Sequence, residues 1–189
     1  MDGNKMCEYF ELDPSDSGKF AEVFSPVDSD GVPVESGNGI GAPVADRATC
    51  TCVDGRTRLG DCIKCVGHEL IVSGRAAELL KDANVPEGTT FVPVDVLASD
   101  GTHLQTAVAV IFAERKRFVN LEASEYEEIT EGIPWYFTRP PVVEAGVVHD
   151  LDLLYGFYVF WLCSNRLKTQ IEENQLSNFV FEPVDLKWT

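Results

Sequence analysis

The sequence predicts an α+β protein whose mixed sheet contains two similar strand-helix-strand units, with an N-terminal loop and a small cysteine knuckle beside them. Three observations carry that prediction. A strand-helix-strand pattern occurs twice, as LIVSGRAAELLKDANVPEGTTFVPVDV in the middle of the chain and as FWLCSNRLKTQIEENQLSNFVFEPVDL at its end. A run rich in Ser, Asp, Gly and Pro, centred on SPVDSDGVPVESGNGIGAPV, sustains neither a helical nor a strand period between Pro14 and Asp46. Between that run and the first copy, four cysteines fall within a short stretch.

In chain order, Cys7 to Leu12 (CEYFEL) alternates and carries Tyr9 and Phe10, so it reads as a strand. Pro14 to Asp46 reads as a long surface loop. Beyond the cysteines, His68–Ser73 (HELIVS) predicts a strand, Gly74–Asn84 a helix and Thr90–Leu97 a second strand. Ser73 stands where its hydroxyl accepts from a first-turn N–H that has no partner inside the helix, and Pro86 and Gly88 end that helix. Ala107–Ala113 (AVAVIFA) and Ile133–Phe137 (IPWYF) are strand candidates between the copies.

Aligning Ser73 with Ser164, with one residue inserted in the first copy, brings Arg75 onto Arg166 and Pro93-Val94-Asp95 onto Pro183-Val184-Asp185. Ala76, Leu80 and Ala83 in one helix, and Leu167 and Ile171 in the other, share a face that packs on a sheet. A chain of 189 residues, 44% hydrophobic and 24% charged, has the apolar side chains for one main core and a modest appendage. Residues 1–66 form the strand, loop and knuckle, and residues 67–189 the domain with the duplicated unit.

Cys50-Thr-Cys52 and Cys62-Ile-Lys-Cys65, with Gly55 and Gly60 to turn the chain between them, suit a structural zinc knuckle. Tetrahedral zinc takes four thiolates from two short pairs and leaves no open position for water. His68 is an alternative to Cys50 as the fourth ligand. Two disulfides or four free thiols are the competing readings, and a reducing cytosol disfavours the first. Cys7 and Cys163 fall in buried strands, where a cysteine acts as a small hydrophobe.

Thirty-one acidic residues against fifteen basic ones give a formal charge of -16, which repels nucleic-acid backbones and anionic membranes and attracts basic partners. Acid residues concentrate at Glu122, Glu125, Glu127, Glu128 and Glu131, and again at Glu172 and Glu173. Such runs are hydrated faces, and they are also where an acidic inhibitor meets a basic target. The N-terminus has neither the basic flank nor the apolar stretch of a signal peptide, and Leu151–Cys163 is too short and interrupted to span a bilayer, so a cytoplasmic protein is expected. The chain has no G-x-x-x-x-G-K-[ST] phosphate loop, no G-x-G-x-x-G after a strand and no H-E-x-x-H; His149-Asp150 with Asp152 reads as a solvated turn.

At the repeated unit the sequence resembles a bacterial group. FWLCSNRLKTQIEENQLSNFVFEPV looks like the C-terminal signature of the polymorphic-toxin immunity proteins of type eleven, and LIVSGRAAELLKDANV and VIFAERKRFVNLEASEYEEI look like that family's preceding segments. The chain is also similar to the related double-CXXCG proteins of myxobacteria, although its first pair is Cys50-Thr-Cys52 and Val66 follows Cys65 where that group has Gly. The likeness covers residues 66–186. It implies a cytoplasmic inhibitor, not an enzyme, that binds and neutralises a cognate secreted or contact-delivered toxin domain by occlusion, and a basic nuclease is the toxin its charge would suit. A zinc-stabilised structural adaptor and a small hydrolytic enzyme are the alternatives; an enzyme would show a pocket in which His149 or another titratable group meets a nucleophile.

Overall fold

The computed structural model describes residues 9–14, 19–37, 44–67, 69–130, 133–156 and 160–187. Its elements, in chain order, are β1 (Tyr9–Pro14), β2 (Glu22–Val23), β3 (Ala48–Thr51), β4 (Cys62–Cys65), β5 (Leu70–Val72), α1 (Gly74–Lys81), β6 (Thr90–Leu97), β7 (His103–Ile111) and β8 (Tyr126–Thr130). They continue with β9 (Ile133–Phe137), β10 (Val142–Glu144), α2 (Ala145–Val148), β11 (Leu153–Tyr155), β12 (Trp161–Ser164), α3 (Asn165–Glu173), β13 (Phe179–Pro183) and β14 (Asp185–Lys187). Helices and a sheet of mixed parallel and antiparallel strands make this the expected α+β class. No helix among the described residues is long and apolar enough to cross a membrane.

Six strands pair in the order β2-β4-β5-β7-β6-β3. The two ends of that sheet meet, because Val23 bridges Cys52, Phe24 N donates to Thr51 O at 2.9 Å and Val53 N to Glu22 O at 2.8 Å. The result is a small closed barrel, and side chains fill its interior: Val23, Ile63, Ile71, Val92, Val94, Val96, Ala107, Ala109 and Ile111 are all buried together there. The barrel corrects one expectation. The Pro14–Asp46 stretch is more than a surface loop, since it supplies β2, a Val27 bridge to Thr49, and the buried Ala21, Val23 and Val34. A two-residue strand and single bridges leave no period in a sequence. The division at residues 66 and 67 also falls between β4 and β5, which pair antiparallel in the same sheet.

The second sheet runs β11-β12-β1-β13, antiparallel throughout. It repeats half of the barrel residue by residue. Leu70 pairs Val110 as Trp161 pairs Leu12, Val72 pairs Val108 as Cys163 pairs Phe10, Cys62 pairs Val72 as Leu153 pairs Cys163, and Phe91 pairs Val110 as Phe181 pairs Leu12. Thus β4-β5-α1-β6-β7 corresponds to β11-β12-α3-β13, completed by β1, which comes from the opposite end of the sequence. The helices correspond as well. Ser73 and Ser164 cap α1 and α3 by accepting from Ala76 N and Leu167 N at 3.3 and 3.1 Å. Asp82 ends the first helix short of the predicted Asn84.

Both halves bury their matching faces in one shared core. Leu70, Val72, Ala76, Leu80 and Val110 from the first meet Trp161, Cys163, Leu167, Ile171 and Leu12 from the second. On the far face of the second sheet, Tyr9, Leu154 and Leu162 pack with Phe118, Val143, Val148 and Phe160.

Candidate functional site

Cys50 and Cys52, two apart on one strand and its continuation, point the same way, into the barrel; Cys65 joins them there. Cys62 does not. It stands three residues before Cys65 on β4, an odd step that turns its side chain outward into the core shared with the second sheet. The predicted ligand set of Cys50, Cys52, Cys62 and Cys65 is therefore divided between two cores, because C-x-x-C spacing on an extended strand turns its two thiols to opposite faces. The set with His68 keeps the same division between Cys62 and Cys65, and His68 itself lies outside the described residues. Among the described residues no group of three or more His, Cys, Asp or Glu is arranged to hold a metal ion. Burial pushes the Cys50 and Cys65 thiols up to about 12, aided by the neighbouring thiols at Cys50 and by Glu69 at Cys65, so both are neutral at ordinary pH. Cys50, Cys52, Cys62, Cys65 and Cys163 are all buried and free.

The predicted acidic residues fall into two groups on opposite sides of the second sheet. Glu172 and Glu173 end α3, whose Leu167 and Ile171 enter the shared core, and Glu172 pairs with Lys168 one turn earlier at 3.1 Å. Glu125, Glu127 and Glu128 belong to the β8–β9 hairpin, which is attached to the far face; Glu131 lies outside the described residues.

That hairpin forms a two-stranded sheet of its own, apart from the barrel and the second sheet. Its root is held by Thr138 N donating to Glu125 O at 3.0 Å, by Val142 N donating to Ser124 Oγ at 2.9 Å and by an Arg139–Glu125 ion pair at 3.3 Å. Aromatic edges tie it down: Tyr126 meets Phe137 at 6.0 Å between centroids, and Phe137 meets Phe160 at 6.3 Å. Glu127, Glu128, Ile129 and Thr130 then project into solvent, with Ile129 62% exposed. A β-branched apolar side chain held out among carboxylates is the residue that sequence reasoning missed here. Its signal was the lone Ile inside an otherwise acidic run.

Asp61 and Asp152 were missed too. Asp61 accepts from Ser73 Oγ (2.6 Å), Arg75 Nε and Nη2 (2.8 and 2.7 Å), Ser177 N (2.7 Å) and Ser177 Oγ (2.8 Å). Asp152 accepts from Ser164 Oγ (2.6 Å), Arg166 Nε (2.9 Å), Arg166 Nη2 and Asn84 N (2.8 Å). Each aspartate thus stands the same distance, 12 residues, before its capping serine, and each grips the post-helix loop of the other repeat. Burial alone would raise both carboxyls, but the Arg and Ser hydrogen bonds outweigh it and hold both below the usual carboxylate range. This double clasp is structural. His149 pairs with Asp150 at 2.8 Å in an exposed turn, as the sequence suggested, whereas Asp152, read as part of that solvated turn, is buried.

No known family model matches the chain, and comparison with curated proteins finds none similar to it.

Proposed function

We propose that this chain is an immunity protein: it acts in the cytoplasm, binds a cognate basic toxin domain and neutralises it by occlusion, without chemistry of its own. The observation that carries the reading is the β8–β9 hairpin, with Ile129 exposed among Glu127 and Glu128 on an arm separate from both larger sheets. An exposed apolar side chain next to carboxylates suits an anchor with a steering rim: the anchor sets how long the complex lasts, and the carboxylates set how fast it forms. The net charge of -16 extends that field over the molecule. The resemblance of the repeated segment to type-eleven immunity proteins supplies the class of partner.

The test is co-expression with the toxin domain encoded beside this protein, read by growth and by complex formation on gel filtration. Protection requires affinity on the order of nanomolar or better. Replacing Ile129 by Asp should shorten the life of the complex, at a cost of about 2 kcal/mol in binding. The pair Glu127→Lys and Glu128→Lys should slow association about tenfold at low salt, with a smaller effect at high salt. Growth arrest despite good expression, with no complex, overturns the reading.

A further inference from the structure

A second unassigned surface lies on the barrel, on a different element from the hairpin. Around β2 the register fixes which side chains share the outer face. Val23 pairs with Cys65 on one side and Cys52 on the other, all three pointing inward. The neighbouring positions therefore point outward: Phe24 beside Val66, and Glu22 between Lys64 and Val53, with Val66 N donating to Val23 O at 3.0 Å. Phe24, Val66 and Val53 are 51%, 50% and 41% exposed. Exposed apolar side chains at adjacent positions form a patch, where scattered ones would need no explanation.

Val66 carries the patch into a groove of about 460 Å³ between the barrel and the second sheet. Val180, 37% exposed, and the buried Trp161 line its other side, and three carboxylates, Asp13, Glu22 and Glu182, surround it against one cation, Lys64. Lys64 pairs with Glu22 at 3.8 Å. Negative charge is concentrated further on the adjoining strands: Glu11 and Glu182 stand directly opposite each other, with Asp13 two residues on along the same face of β1. Like charges in that position repel across a sheet. Burial, then Asp13 and Glu182, push the Glu11 carboxyl up to about 7.

We propose that this face docks an extended segment of a basic protein, with a Lys or Arg side chain entering the groove beside Glu182 and an adjacent apolar side chain covering Val66 and Phe24. The volume suits a few residues, not one small ion. The apolar patch calls for a partner with side chains of its own, and the carboxylates turn away anionic lipid and nucleic acid. The inference rests on the reading of the chain as a binder of basic proteins, and adds a second site to it.

The probe is a blocked pentapeptide, acetyl-Leu-Arg-Val-Arg-Leu-amide, titrated into the full chain and followed by amide and Trp-indole NMR shifts at low salt. Saturable shifts at Val66, Phe24, Val180 and Trp161 are expected, weakened about tenfold or more by Glu182→Lys and by Val66→Ser. Both substitutions lie on exposed surface, and unchanged spectra elsewhere report that the fold is kept. Lack of saturable shifts, shifts confined to β8–β9, equal binding by Glu182→Lys, or equal binding of the peptide with Gln in place of both Arg each overturns the proposal. If the peptide fails while co-expression still protects, the docking face is wrong and the immunity role stands; if it binds while protection fails, the reverse holds.

Discussion

Glu11 and the two clasp aspartates pull the stability of this protein in opposite directions with pH. The Glu11 carboxyl sits at about 7 in the fold against an ordinary 4.5, so between those values the folded chain holds a proton that the unfolded chain has released. Stability must fall as pH rises through that window. Glu11→Gln should therefore raise the free energy of urea unfolding at pH 8, by about 1–3 kcal/mol once its partial contact with solvent is discounted, and leave it unchanged near pH 4. Asp61 and Asp152 lie below the usual carboxylate range, so their stabilisation is complete above an ordinary Asp pKa and is lost as pH falls through their folded values. Replacing either by Asn puts an NH2 group where Ser, Arg and backbone donors already point. Asp61→Asn and Asp152→Asn should each cost about 2–4 kcal/mol, and by similar amounts because their partners match. Cys62 faces the shared core at the position that Leu153 fills in the other repeat. Cys62→Val should then melt within about 1.5 kcal/mol of the parent, and chelator should shift neither. A chelator-dependent melt of the parent alone would restore Cys62 as a ligand.

At the scale of elements, the β8–β9 hairpin is a two-stranded sheet of its own, held among the described residues at its root and through Phe137, and an isolated hairpin is barely stable in water. Phe137→Ala removes the ring that joins Tyr126 to Phe160. Amides of β8 and β9 should exchange faster by an opening energy of about 2 kcal/mol while barrel amides keep their protection; uniform acceleration would show that the hairpin is not a separate unit. This scale also shows what the sequence could disclose. The capped helices and β6 were legible because each rests on local chemistry, a serine before a 3.6-residue period or a run of β-branched residues in Thr90–Leu97. The pairing of the copies was legible as far as Ser73 and Ser164. Asp61 and Asp152 were not, although both precede their serine by 12 residues, because an aspartate near a turn looks solvated until a loop from the other repeat closes over it. The split of the cysteines was hidden likewise: C-x-x-C gathers thiols on a turn and separates them on a strand, and only the pairing of β4 with β5 decides which applies.

For the whole molecule, the reciprocal clasps and matched registers describe two copies of one unit facing across a pseudo-two-fold relation, as in a dimer fused into a single chain. Within the four strands that the two copies share, chain order breaks the match, since β1 serves β12 and β13 as β7 serves β5 and β6. Restoring the order should be tolerated. Residues 1–14 moved behind Lys187 on a Gly/Ser linker of about ten residues should give a chain with the parent circular-dichroism spectrum and a cooperative melt. Insoluble or non-cooperative protein would show that β1 needs its present connection. The same order has a consequence during synthesis. The barrel can close once Ile111 is out, but β1 is made before both of its neighbours and must wait until Trp161 and Phe179 have been added, on the order of ten to thirty seconds at usual elongation rates. Through that interval both of its backbone rows are open to strands of other nascent chains. Glu11, which faces Glu182 in the finished sheet, and Asp13 two residues on are then the side chains that keep the waiting strand soluble.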